Sequence, residues 1–546
     1  MGTLAMSAAM APGTGSMQDW TGKGPTHSTD GSFPQRASWW QARRSSRSRR
    51  EFGLRCAEGE TSSAVIVPRL HRSGRHPDED ADYIDPSEGW LVVQVALLVV
   101  VSSWDCGGMS STAMNWVAGG VLLGLPILVA RRREGHARTW WPFIPSLLWI
   151  VFVLMALCNP SHVATSAGWI PRVDWISWLP TTIDRQHTIE DIRLWLPALF
   201  EAGLIAASLR TARAARMIWT VVAVNGFVLA AVGAVFHFAG IQQVLGIIDP
   251  PEPTYFFATF FYKNHWAAYG ALAALAGIML ALKASRNTFA ADPRARGPFL
   301  LFGCIGTLTV VTLPLPGSRA GALLAATLIS AFIVQLICDS HGAHKARAGR
   351  SAAIPLMLIV TIAVAGYGTS AYFRHATVDV ARTTRELKQG IDGEQSDLRL
   401  LVARDTWHMA SARPFFGWGP GCFEIVFPIY QGAYLRSPDG RATARFEFAH
   451  NDWLQTLAED GIIGSLVLIV PLLVMTRKAW TASDHLGRLA IAGCGLIALH
   501  ACIDFPLHNP AVLMLWVIML ASVARLSPAA PFDQRHDRRT GRPSGV

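Results

Sequence analysis

From residue 90 onward the chain alternates long apolar runs with short polar connections. Leu, Val, Ile, Ala and Phe dominate residues 90–103, 114–130, 141–158, 192–209, 217–238, 255–282, 298–314, 320–338, 353–373, 462–476, 487–503 and 509–526. Crossing hydrocarbon takes about 20 apolar residues, fewer where the end residues snorkel. A spanning backbone has no water to bond and must satisfy itself as a helix. The pattern therefore predicts an all-α polytopic membrane protein of about twelve transmembrane helices, the first and the tenth having the weakest signal. Composition agrees, because the chain is 51% hydrophobic and only 16% charged, against roughly 45–50% and about 25% in soluble domains.

The net charge of +10 belongs to short clusters between the apolar runs. Arg131, Arg132, Arg133 and Arg138 follow the second run, Arg210, Arg213 and Arg216 the fourth, and Lys283, Arg286, Arg294 and Arg296 the sixth. Lys345, Arg347 and Arg350, then Arg477, Lys478 and Arg488, and finally Arg535, Arg538, Arg539 and Arg542 continue the alternation. Residues 104–113 and 239–254 carry no Lys or Arg. Cationic loops on every second side orient a membrane protein with both termini cytoplasmic. They do not form a stripe for nucleic acid, so no nucleic-acid partner is expected.

This divides the chain into a disordered cytoplasmic tail (1–88), nine helices (89–373), a large outer loop (374–461), three helices (462–526) and a cytoplasmic tail (527–546). The first tail includes the basic run QARRSSRSRR (41–50), read as solvated. Eight cysteines lack any metal-ligand spacing and read mostly as small core residues. Within the large loop, DLRLLVARDTWHMASA (397–412) predicts an amphipathic helix with Leu398, Leu401, Val402 and Met409 as its apolar positions. PFFGWGPGCF (414–423) predicts a turn, because its three glycines and two prolines break helix and strand alike. HNDWLQTLAEDG predicts a short helix capped by Asn451 and stopped by Gly461. Its Asp452, Gln455 and Glu459 share one face.

Several ionisable or strongly polar residues then stand out against apolar surroundings: Lys263, Asn264, His265, Arg319, Arg399, Arg404 and His450. The charge alternation puts all of them at or near the outer face, and such residues near a membrane cavity are functional candidates. Taken singly, each also reads as an interfacial anchor or a cap. Together they suit displacement of a phosphate leaving group by a hydroxyl. Arginine keeps its charge and grips two oxygens in a planar fork, and imidazole is the usual base for a hydroxyl. No spacing matches a metal-ligand set, so neither metal nor other cofactor is expected.

AHNDWLQTLAEDGIIG, preceded by LRLLVARDTWHMASARPFFGWGPGCFEIVFPIY, resembles the O-antigen ligase and O-antigen polymerase superfamily of bacterial inner-membrane glycosyltransferases. FYKNHWAAYG, LPLPGSRAGALL and HACIDFPLHNP resemble further motifs of that superfamily and occur in its order. The departures are Cys422 after GPG and Lys263 in place of the commoner Arg. The resemblance implies metal-independent, inverting transfer of a glycan from undecaprenyl pyrophosphate to an acceptor hydroxyl at the periplasmic face. It implies His450 as base, with Arg319 and Arg404 holding the pyrophosphate. Lys263, Asn264, His265, Arg399 and Asn451 are carried as substrate-binding candidates. The acceptor stays open between a lipid A core sugar, the growing polysaccharide and a protein hydroxyl, with membrane lipid as a further partner. A transporter or lipid-linked glycan flippase is the alternative, since buried Asn225 and Gln335 would suit it; no inverted repeat of the transporter kind is evident.

Overall fold

A computed structural model describes residues 84–133, 141–165, 168–251, 255–289, 296–344, 398–432 and 445–526. The ninth predicted span (353–373), residues 1–83 of the first tail, the second tail and residues 374–397 and 433–444 of the large loop lie outside them, while the last residues of the predicted first tail, from Pro86, are already helical.

The described chain is helical, with one two-stranded antiparallel hairpin. In order it forms α1 (Pro86–Trp104), α2 (Ser111–Leu122), α3 (Leu125–Arg133), α4 (Ile144–Cys158), β1 (His162–Thr165), β2 (Gly168–Pro171), α5 (Arg185–Ser208) and α6 (Ala212–Phe238). These are followed by α7 (Lys263–Phe289), α8 (Arg296–Thr312), α9 (Arg319–His344), α10 (Leu398–Ala412), α11 (Phe423–Tyr430), α12 (Asp452–Ala482), α13 (His485–His500) and α14 (Pro510–Leu526). Among the described residues, seven stretches are long and apolar enough to cross a membrane: Pro86–Trp104, Ser111–Ala130, Trp141–Cys158, Ala212–Phe238, Lys263–Arg286, Arg319–Asp339 and Asp452–Ala482. Arg296–Thr312, His485–His500 and Pro510–Leu526 are shorter apolar helices. The predicted span at 192–209 lies in α5, whose Glu190, Asp191, Arg193 and Glu201 make it more polar than those seven.

Several helices are apolar on both faces, as lipid requires. In α4, Trp149, Phe152, Val153 and Ala156 pack inward while Ile144, Leu147, Leu148, Val151, Leu154 and Met155 are exposed. The centre is α7, whose alanine-rich face lets neighbours approach closely. A Cβ on Gly277 would stand 2.9 Å from the backbone nitrogen of Gly306 on α8, and one on Gly226 of α6 would stand 2.1 Å from Cβ of Ala273. α14 is buried along nearly its whole length, so its shortness is compensated by protein contacts. Of the cysteines, Cys106, Cys422 and Cys494 are buried, whereas Cys158, Cys338 and Cys502 are exposed, contrary to the expectation of small core residues.

The predicted turn at 414–423 has an unexpected partner. Gly461 stops the short helix as expected, with non-helical backbone (φ 65°, ψ −172°), and a second helical piece of α12 starts directly after it and runs to Ala482. The amides of Ile462 and Ile463 donate instead to the carbonyls of Pro414 and Phe415, at 2.8 and 3.0 Å. The carbonyls of Ala458 and Glu459 accept from the amides of Trp418 and Gly419, at 3.1 and 2.8 Å. The turn thus completes the interrupted ladder, as buried backbone demands. Gly417, Gly419 and Gly421 all have positive φ. A Cβ on Gly417 would lie 2.2 Å from the carbonyl oxygen of Glu459.

This geometry predicts that Gly417→Ala destabilises the protein through strained φ, worth about 1–3 kcal/mol, plus the clash. Gly240→Ala is the comparison, having a similar φ of +69° but open space around it. Thermal unfolding in detergent should show a clearly larger loss for Gly417→Ala; equal losses would mean that the turn is not packed against the break.

Candidate functional site

Residues from five regions of sequence gather around Asp504, which lies in the HACIDFPLHNP turn between α13 and α14 and is 1% exposed. Tyr262 donates its hydroxyl to Oδ2 at 3.2 Å. Asn264, in the first turn of α7, donates Nδ2 to the same oxygen. The backbone amide of Phe505 donates to Oδ1 at 3.0 Å. His450 Nδ1 lies 3.3 Å from Oδ1. Arg399 of α10 places Nη2 3.7 Å from Oδ2 and donates Nη1 to the carbonyl of Ile503 at 3.3 Å. Nε2 of the buried His500 lies 4.0 Å from Oδ2. The network reaches α9 as well, because the Ser318 hydroxyl donates to Oδ1 of Asn264 at 2.6 Å while capping α9 through the amide of Gly321.

Burial by itself would raise the Asp504 carboxyl. The hydrogen bond from His450 and the charges of Arg399, His500 and His450 outweigh it and hold the group down at about 2. Asp504 is therefore a carboxylate at neutral pH, and a carboxylate only accepts. The proton of the shared hydrogen bond then sits on Nδ1 of His450, so that Nε2 is the nitrogen that carries the lone pair in the neutral ring.

His450 precedes α12 with a φ of +53°, an uncommon left-handed conformation that non-glycine residues hold only where the surroundings fix it. The fixing contacts lie on both sides. Asn451 caps α12, its Oδ1 accepting from the amide of Leu454 at 3.0 Å. The amide of Asp452 donates to the carbonyls of Ala501 and Asp504, at 2.9 and 3.2 Å. The His450 ring meets Phe505 edge to face at 5.1 Å, and Phe505 is itself stacked between Tyr262 and Phe448. The His450 side chain remains 26% exposed.

The structure thus brings His450, Asn264 and Arg399 together around one carboxylate. Lys263 sits beside them in sequence, with Nζ over the Tyr255 ring at 4.6 Å. His265 is buried one residue further on, against the edge of Phe505 and with Nδ1 3.4 Å from Asn509. Asn451 acts as the predicted cap. Arg319 is exposed directly after Ser318. Arg404 is exposed on α10, with Nη2 3.3 Å from Oδ1 of Asp405. Neither of these two arginines joins the contacts around Asp504 described above. Sequence reasoning quoted the HACIDFPLHNP turn without singling out Asp504; the available signal was an acid alone in an apolar turn.

Behind the site, Asp452 is bonded to His508 and accepts the amide of Leu507 at 2.8 Å. Glu459 accepts the amide of Phe423 at 2.8 Å. The predicted polar face of Asp452, Gln455 and Glu459 is therefore wholly buried and committed to structure. The same holds for the polar residues that would have suited transport. Asn225 donates to Ser103 and Tyr269 and accepts from Trp104. Gln335 donates to Asp339 and lies 3.1 Å from His485 Nε2.

Burial pulls His508 down, yet Asp452, with Glu459 and Asp191 nearby, overrides it and pushes the imidazole up to about 9. A raised histidine contributes stability that is complete below its unfolded value of about 6.5 and is lost as pH rises through the folded one. The melting temperature in detergent should therefore fall between pH 6.5 and about 9. His508→Gln should flatten that fall, and an unchanged slope in the variant would assign it to other groups.

Residues 304–469 match the family model described as O-Antigen ligase. The match runs from α8 into α12 and includes Arg319, Arg399, Arg404 and His450, while Asn264 and Asp504 lie outside it. No curated protein matches the chain.

Proposed function

We propose that this membrane protein, whose residues 304–469 match the O-Antigen ligase family model, transfers a glycan from a polyprenyl pyrophosphate to an acceptor hydroxyl. The observation that carries this reading is His450: partly exposed, locked in a left-handed conformation, and bonded through one ring nitrogen to a buried carboxylate.

In the proposed reaction Nε2 of His450 takes the proton of the acceptor hydroxyl. That oxygen attacks the anomeric carbon of the donor glycan from the face opposite the leaving group, forming the new glycosidic bond with inversion. The bond from carbon to pyrophosphate oxygen breaks, and its electron pair leaves with undecaprenyl pyrophosphate. Arg319 and Arg404 neutralise the pyrophosphate, so charge stabilisation is assigned to guanidinium groups and no metal is given a role. Asp504 is a positioning residue: it fixes the imidazole tautomer and balances the imidazolium that forms, as an oriented acid does for a catalytic histidine. Asn264 and Arg399 hold Asp504, while Lys263, His265 and Asn451 complete the surroundings of the donor. The site is assigned to the periplasmic face of a bacterial inner membrane, with both termini cytoplasmic. The acceptor is a lipid A core sugar, a growing polysaccharide or a protein hydroxyl.

Purified protein in vesicles, supplied with lipid-linked glycan and acceptor, should form a new glycosidic bond. A carrier would move the lipid-linked glycan without joining it to anything. His450→Ala should remain folded and lose at least about 10²-fold in turnover; wild-type turnover in that variant removes the mechanism. Asp504→Asn should lower kcat on the order of 10²-fold with a smaller change in KM, because the tautomer and not the binding surface is disturbed. Arg404→Lys should also lose activity, since an ammonium does not reproduce the two-pronged grip. Unchanged kinetics there would leave Arg404 as a surface anchor.

A further inference from the structure

The connection between α4 and α5 exposes apolar side chains where a soluble loop would expose polar ones. Val163, Trp169, Ile170, Val173, Ile176 and Trp178 are all exposed, Trp178 by 71% and Val173 completely. From residue 162 to residue 179 the only Asp, Glu, Lys or Arg residues are Arg172 and Asp174. These two neutralise each other through paired hydrogen bonds of 2.9 and 2.5 Å. The segment therefore presents an apolar, aromatic surface with no net charge from these residues.

Its position is fixed by the end of a membrane-length helix. Asn159, the C-cap of α4, donates Nδ2 to the carbonyls of Ile176 and Pro180, at 2.8 and 3.1 Å. It accepts the amide of Ile176 at 2.7 Å, and its own carbonyl accepts the Thr181 hydroxyl at 2.7 Å. The amide of Ser161 donates to Thr182 and the amide of Arg172 to Ser161, each at 2.9 Å. The segment is thus tied to the terminus of α4, whose outward stripe of Ile144, Leu147, Leu148, Val151, Leu154 and Met155 faces lipid. The exposed apolar residues of the segment thus begin within a few residues of the helix end.

We propose that residues 162–165 and 168–179 form a strap seated in the headgroup layer of the bilayer that α4 crosses, with Trp169 and Trp178 as its anchors. The depth follows from two limits. Indole rings gather at the membrane interface, where a flat apolar ring and an N–H donor are both accommodated. A two-stranded hairpin has unpaired edges, which exclude it from the hydrocarbon but not from the hydrated headgroups. The strap also reaches the glycine-rich turn: the Arg413 guanidinium lies 4.8 Å from the Trp175 ring and 4.0 Å from the Trp418 ring, and Trp418 belongs to the turn that completes the broken ladder of α12. The membrane surface thereby bears on the segment that supports His450. This inference rests on α4 crossing a bilayer and is independent of the reaction proposed above.

The test uses the full chain with its native cysteines replaced and a single new cysteine, either Trp178→Cys or Val173→Cys, labelled with the environment-sensitive dye NBD. Val173 has no packing to lose, so its variant keeps the test valid if Trp178→Cys misfolds. In vesicles of phosphatidylcholine and phosphatidylglycerol, both labels should be quenched at least twofold more strongly by a lipid carrying a spin label near its headgroup than by aqueous iodide. A spin label at the end of the acyl chain should quench less. Free access to iodide without quenching by the headgroup label would overturn the strap. So would protection of the dye by a soluble oligosaccharide in place of lipid, which would make the aromatic surface a sugar platform.

Discussion

A carboxylate taken out of water loses hydration worth several kcal/mol, and only donors supplied by the protein replace it. Asp504 receives them from Tyr262 and Asn264 at the start of α7, from the amide of Phe505, and from His450 ahead of α12, with Arg399 of α10 alongside. One side chain therefore sets the relative placement of four regions that are far apart in sequence, and Ser318 extends the arrangement to α9. Removing any donor would leave charge buried with less to offset it, which costs more than the hydrogen bond itself. The aromatic packing of Phe505 between Tyr262 and Phe448 excludes water from the same place and strengthens each of these contacts.

A second constraint acts from the other end of the same helix segment. The break at Gly461 leaves amides and carbonyls that must find partners, and the glycine-rich turn supplies them from Pro414 to Gly419. Glycine is required there because the turn approaches the backbone of α12 more closely than a Cβ permits and does so with positive φ. Between these two anchorages lies the short stretch from Asp452 to Asp460, almost wholly buried on its polar face. The candidate base is mounted at the start of that stretch, on backbone held from both sides.

Much of this was legible in the sequence, and the rest was not for physical reasons. Hydrophobic runs of membrane length are read directly, because lipid imposes both their length and their helical form. Asn451 as a cap, the helix at 397–412 and the turn at 414–423 follow from local chemistry, and each is found. Leu398 was expected on the apolar side of its helix but is 47% exposed, since periodicity gives a face and not the packing partner. Residues 255–262 precede α7 and are not part of it, because turn and bridge geometry there depends on contacts that an apolar run does not reveal. Gly461 as a stop follows from local chemistry too, but the second helical piece beyond it does not, because the segment that bridges the gap lies some forty residues upstream. Asp504 offers in sequence only the weak sign of an acid alone in an apolar turn; its partner Asn264 is 240 residues away. Arg319 and Arg404 are apparent as cations in largely apolar stretches, yet sequence does not tell how far each stands from the imidazole.

The interruption at Gly461 has a mechanical corollary. A continuous helix of 31 residues would act as a stiff rod, carrying any tilt of its lipid-embedded length straight to its tip. Here the rod is severed, and the upper piece is spliced to a neighbouring stretch of chain. The lower piece is tied to that same stretch through Ile462 and Ile463, so the turn works as a splint that sets the angle between the two pieces at the expense of one residue's helical geometry.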